Sequence, residues 1–175
     1  KLKAVVKSFQ ARLAEAWALP CSNALKETLR RLAVNGIPGA RNTPWMCPCD
    51  LHSPPIACGR QHTFWDCHVA LAVRCQLAAA VHPFDPPTQA SVWLLYPSPH
   101  NVCSGVWMLV CLAALTAMEH GRKALWAQHH GMQPGAAPVP LPTATADRIA
   151  NAVAARFWLL LSDFTHDHAL PPTSW

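Results

Sequence analysis

Apolar residues at the start of the chain recur every three or four positions. Leu2, Val5, Val6, Phe9, Leu13, Ala16 and Trp17 fall on one helical face, and Pro20 ends the run. Ser22 can cap a second helix that turns Leu25, Leu29 and Leu32 inward, with Glu27 and Arg31 as an i,i+4 pair on its flank. Gly36 followed by Pro38 stops that helix. The short link between the two predicts a helical hairpin. Farther on, Val69, Val73, Leu77 and Val81 predict a third helix starting near Asp66, with Cys67 in its first turn, where the helix dipole favours a thiolate.

A short apolar piece, Ala90 to Tyr96, is closed by Pro97 and Pro99. A long helix is expected from about Val102 to His130, with Val106, Leu109, Val110, Ala113, Met118, Leu125 and Trp126 inward. Residues 131–142 are rich in Pro and Gly and read as a linker. Thr143 or Thr145 can then cap a last helix in which Ile149, Val153, Phe157, Leu160 and Phe164 form a narrow seam. This helix either folds back on the core or offers its 149–164 seam to a protein partner. The fold class is all-α: a helical hairpin, a loop region, a long core helix and a C-terminal helix. The expected organisation is a helical domain over 1–130, the linker over 131–142 and the last helix over 143–175.

Residues 36–62 fit no helix or strand. Five prolines (Pro38, Pro44, Pro48, Pro54, Pro55) and three glycines exclude a regular helix, and no alternation supports a strand. A structureless loop of that length inside a domain needs something to fix it. The same stretch and its flank carry Cys47 and Cys49 one residue apart, then twelve residues, then His62 and Cys67 in an H-x4-C spacing. Four soft or borderline donors in two close pairs suit a tetrahedral structural zinc ion. Cys58 is the alternate ligand and can replace His62; His52 and His68 are weaker candidates, and His68 should point away from its neighbour Cys67 on a helix. Cys21, Cys75, Cys103 and Cys111 lie on or beside apolar helical patterns and read as small buried hydrophobes. Asp163, His166, Asp167 and His168 form a second cluster that can bind a metal weakly, although cationic His near a helix C-terminus is ordinary and is the stronger reading.

Composition narrows the classes. Hydrophobic residues make up 51% of the 175 and charged residues 13%, so the chain has the material for a core. Charge is uneven: residues 1–41 hold eight Lys/Arg against Glu15 and Glu27 (+6), residues 42–175 hold six against seven (−1). That asymmetry points to an acidic partner, of which RNA or DNA is the commonest, although a solvated helix face explains it too. Without a signal peptide, eight Cys are expected as reduced thiols in an intracellular setting, nucleus or cytoplasm. The chain opens Lys-Leu-Lys without an initiator Met, as a piece of a longer protein would. The uncharged run Cys103–Met118 is 16 residues, short of the roughly 20 a membrane span needs, and is expected as a buried core helix rather than a membrane anchor.

No G-x-S-x-G, P-loop, dinucleotide turn or H-E-x-x-H is present, and no Glu lies beside the thiols as a zinc deaminase requires. The chain is therefore expected not to be an enzyme.

Cys47-Pro-Cys49 with Arg60-Gln-His62-Thr-Phe64-Trp65-Asp-Cys67-His-Val-Ala resembles the zinc-binding region downstream of the reverse transcriptase domain in non-LTR (LINE-type) retrotransposon polyproteins. Lys26-Glu-Thr-Leu-Arg-Arg-Leu-Ala-Val-Asn-Gly-Ile-Pro is similar to the helix leading into that finger. The resemblance covers about residues 25–82, and C-x-C stands here in place of the more usual C-x2-C. It implies Cys47, Cys49, His62 and Cys67 as zinc ligands, Phe64 and Trp65 packing the knuckle onto the helices, and a nucleic-acid-gripping role beside a polymerase domain in cis. The polymerase's own acidic metal-binding motif is absent. The expected phosphate-contacting residues are Lys26, Arg30, Arg31, Arg41 and Arg60. A zinc-stabilised protein-interaction module and a degenerate remnant that still folds are the rival expectations.

Overall fold

A computed structural model of the chain describes residues 2–37, 46–49, 56–82, 85–96, 102–130 and 141–167. Among them the fold is all-α, with helices α1 (Leu2–Ala18), α2 (Asn23–Ala33), α3 (His68–Ala80), α4 (Gln89–Trp93), α5 (Ser104–His130) and α6 (Thr143–Asp167). A π-helical turn, His62–Asp66, precedes α3. Extended pairing is confined to two isolated bridges, Met46 with Ala57 and Cys49 with Leu141. The Pro-rich stretch 131–140 lies outside the described residues.

Helix α5 is the axis of the molecule. Every residue from Val106 to Glu119 is buried, so this helix has no polar face over four turns, as expected of an element surrounded by others. It is long and apolar enough to cross a membrane by length and composition, yet α2, α3 and α6 pack around it and bury most of it. The uncharged run from Cys103 to Met118 thus becomes the core helix that the sequence predicts. Helix α6 lies against both α3 and α5. Its seam residues Ile149, Val153, Phe157 and Leu160 are buried, so the seam completes the core instead of facing outward. The side chain of Phe164 lies outside the described residues.

Helix α1 departs from the expected packing. Among its described side chains only Ala16 is buried; Phe9 and Leu13 are half-buried, and Val5, Val6 and Trp17 are exposed. Its principal contact is with α5. Polar bonds hold it in place. Arg12 Nε donates to Leu94 O at 2.7 Å, and its guanidinium lies 4.4 Å above the Tyr96 ring. At the other end, Lys26 Nζ donates to the carbonyls of Trp17 (2.8 Å) and Leu19 (2.7 Å). The last carbonyls of a helix have no partner within it, and a lysine can supply one. Lys26 is 4% exposed and acts as an internal clamp between α1 and α2. Helix α2 starts at the Ser22 cap and ends where Asn35 takes a left-handed backbone (φ 53°).

A carboxylate sits inside the core. Glu119 on α5 is 2% exposed and accepts two bonds from Arg122, at 2.7 and 2.8 Å, with Arg31 of α2 at 3.4 Å and Lys123 at 3.9 Å. One buried anion thus gathers three cations and ties α2 to α5. Beside it, burial first and then the charges of Arg156 and Lys123 hold the His120 imidazole below its ordinary range. The unfolded chain therefore takes up a proton more readily than the folded one. His120 contributes its full stability above about pH 6.5, and that contribution is lost as the pH falls through and below this value. His120→Gln should flatten the acid side of the stability profile, measured as the urea midpoint across a pH series; an unchanged slope would contradict the assignment.

Candidate metal centre

The H-x4-C spacing needs a particular backbone. On a regular α-helix two residues five apart point about 140° from each other, because each step turns about 100°. The π turn removes this obstacle. Cys67 N donates to His62 O at 2.8 Å, an i to i+5 bond that stacks the two residues on one side. Gly59 O accepts from Thr63 N at 2.9 Å and anchors the start of the turn. Phe64 is fully buried and Trp65 is buried beneath Arg74, whose guanidinium lies 4.3 Å above the indole and donates to Trp65 O at 3.1 Å. The two aromatic residues thus pin the turn to α3. Cys67 is the residue before α3, with extended backbone, rather than a member of its first turn.

Cys47 arrives from the other side. Its N–H donates to Ile56 O at 2.8 Å within the Met46–Ala57 bridge, which sets Cys47 beside Cys58. The donor atoms of Cys47, His62 and Cys67 all lie within 4.8 Å of one another, and all three residues are buried. The Sγ atoms of Cys47 and Cys67 are 3.8 Å apart. Two thiolates at about 2.3 Å from a tetrahedral zinc ion stand about 3.8 Å apart, so this pair already has the required spacing. The group can hold a metal ion.

Cys49 and Cys58 crowd the same sulfurs. The Cys47 thiol is pushed well above its ordinary range, first by its contact with Cys49 and then by that with Cys58. Cys67 is pushed up in the same way by Cys47 and then Cys49. Cys58, half-buried, is held lower because Cys47 donates to it. So many thiols cannot ionise together without a cation among them; a bound metal reverses that preference. Three donors therefore converge, while Cys49, buried, and Cys58, closer to solvent, touch their sulfurs from outside that group. His68 turns away, as its position predicts, and bonds Asp147 of α6 at 2.7 Å.

The cavity between the donors is closed by α5 through Met118, Arg122, Leu125 and Trp126. Arg122 was not among the residues expected at the site. Its signal was there in the sequence: Glu119, Arg122 and Lys123 are charges set three and four apart in an otherwise apolar helix. The loop is also tied to the last helix. Leu141 N donates to Pro48 O at 2.7 Å, just before α6 begins.

The expected phosphate contacts fare unequally. Lys26 is corrected outright, since its ammonium is buried and bound to two carbonyls. Arg31 faces Glu119. Arg30 is exposed but bound to Glu27 through two 2.7 Å bonds. Arg60 is exposed and gives one bond, at 3.2 Å, to Leu32 O. Arg41 lies outside the described residues, as do His52 and the side chains of His166, Asp167 and His168. Of the cysteines read as buried hydrophobes, Cys111 is buried and Cys21 half-buried, whereas Cys75 and Cys103 are exposed. Cys75 stands off the Val69–Val73–Leu77 stripe that α3 turns inward.

Comparison of the chain with protein-family models, with curated proteins and with solved structures finds no match.

Proposed function

We propose that the chain is a non-catalytic, zinc-stabilised helical module that binds nucleic acid, RNA or DNA, as an accessory to a polymerase domain in cis. The observation that carries the reading is the buried convergence of Cys47, His62 and Cys67, whose donor atoms lie within 4.8 Å of one another and whose two sulfurs stand 3.8 Å apart. Thiolate and imidazole donors, with no carboxylate among them, favour zinc over harder cations. Cys49 takes the fourth place, with Cys58 as the alternate. Four protein donors leave no open position for water, which is the mark of a structural rather than a catalytic site. Three thiolates and one imidazole around Zn²⁺ would leave one negative charge, and Arg122, though paired with Glu119, is the cation that lines the cavity. The nucleic-acid part rests on the chain's net charge of +5 and on the resemblance to the retrotransposon finger. A zinc-stabilised protein-interaction module is the second reading, favoured by the exposed Val5, Val6 and Trp17 of α1.

Cobalt(II) added to metal-free protein tests the site. One equivalent should give the ligand-field spectrum of a tetrahedral ion with thiolate charge-transfer bands. Loss of an outer-shell partner alone costs up to about 100-fold in metal affinity, so Cys67→Ser should cost at least that. An octahedral spectrum, or equal affinity in the variant, would refute the site. Anisotropy with labelled single-stranded RNA and DNA should show binding that chelation abolishes; an absence of binding at low salt would favour the protein-interaction module.

A further inference from the structure

Helices α2, α5 and α6 enclose a cleft of about 870 Å³ on the flank of the core, separate from the metal cavity. Cations from all three helices line it: Arg31, Lys123 and Arg156, with His120 between the last two. Three acids line it as well, Glu27, Glu119 and Asp163, so a bare count of charges gives no sign. The pairing does. Both oxygens of Glu27 are taken by Arg30, and both oxygens of Glu119 by Arg122, two arginines that are not part of the lining. Arg31 and Lys123 keep only long contacts with Glu119, at 3.4 and 3.9 Å. With those two arginines counted, Arg30, Arg31, Arg122, Lys123 and Arg156 stand against Glu27, Glu119 and Asp163, and the cleft is electropositive. The His120 imidazole is depressed first by burial, and the charges of Arg156 and Lys123 add to that against the opposing charge of Glu119.

We infer that this cleft is where the module seats the phosphates of a single-stranded nucleic acid. Lys123 and Arg156 make the outer contacts, and Arg31, held by Glu119, forms the inner wall. Leu25 and Leu160, both buried, form an apolar floor beneath the sugars and bases between phosphates. This rests on the nucleic-acid reading above and moves its contacts from the outer face of α2 to the cleft. It also follows from the chemistry of the side chains: guanidinium groups on a rigid helical wall match phosphate oxygens in pairs, and an ammonium adds a point charge.

The test is fluorescence anisotropy of a labelled 20-nucleotide oligouridylate with the zinc-loaded full chain across a salt series. Lys123→Gln with Arg156→Gln, both at exposed positions, should weaken binding at least about tenfold and reduce the salt slope by about 1.4, at about 0.7 per lost contact to a single strand. Lys3→Gln with Lys7→Gln on α1 is the control of equal charge and should cost much less. If the α1 pair weakens binding as much or more, or the cleft pair leaves it unchanged, the cleft inference falls while the nucleic-acid reading stands. If the wild-type chain binds no oligouridylate at low salt, the nucleic-acid reading falls and the cleft inference falls with it. Binding of polyglutamate that competes on equal terms with the oligonucleotide would overturn the inference in favour of an acidic protein partner.

Discussion

Glu119→Ala should lower the stability of the chain by about 3–5 kcal/mol, the usual cost of breaking a buried ion pair from one side. The loss comes from what remains: the Arg122 side chain is 11% exposed and would be left without its carboxylate beside the metal cavity. Glu119→Gln should cost less, since the amide oxygen still accepts a bond. Replacing Glu119 and Arg122 together with methionine should recover much of the loss, because an apolar pair of similar volume removes both charges. Urea denaturation followed by circular dichroism gives all three values. A loss below about 1 kcal/mol for the alanine variant, in the range of an exposed pair, would show that the carboxylate is not a core element.

Gly121→Ala should also destabilise, against its local preference. Alanine in a helix interior is favoured over glycine by about 1 kcal/mol. A Cβ at Gly121, however, would lie 2.3 Å from Val69 Cγ1 of α3 and 3.1 Å from Val153 Cγ2 of α6. Valine in a helix is held to essentially one rotamer, so neither methyl can swing aside and the helices must part. Overpacking costs about 1–3 kcal/mol and occasionally more. Here three helices meet at one atom, and a net loss of about 2 kcal/mol is expected. Val69 follows Cys67 by two residues, so metal affinity should fall along with the melting temperature. An equal or higher melting temperature would place the contact outside the energetics of the core.

The helices were largely legible because each has a stripe that packing then used. Val69, Val73 and Leu77 point inward as spaced, and the seam of α6 reads correctly down to Leu160. Periodicity says that a face is apolar but not that a neighbour exists to cover it, which is why α1 was over-read: Val5, Val6 and Trp17 stay exposed. Lys26 was misread for the converse reason. A lysine on a basic helix looks like a surface charge, and only the chain reversal after α1 brings two free carbonyls to it. That Cys47, His62 and Cys67 should come together was legible from spacing, since thiols in a stretch with no packing pattern have little else to do. The backbone that aligns them was not. A separation of five positions from His62 to Cys67 argues against a shared helical face until the π turn is seen.

The bond from Leu141 N to Pro48 O, with the Cys49–Leu141 bridge, also sets an order of assembly. All the metal donors lie between positions 47 and 67 and are synthesised before any of α5 or α6. Contacts between near neighbours in sequence form first because they close small loops at little entropic cost. The thiol pocket is such a local unit, whereas its tie to Leu141 must wait for the last helix to emerge and dock. A growing chain therefore presents its donors with no roof of α5 over them, open to metal, and the later helices close over a site already made.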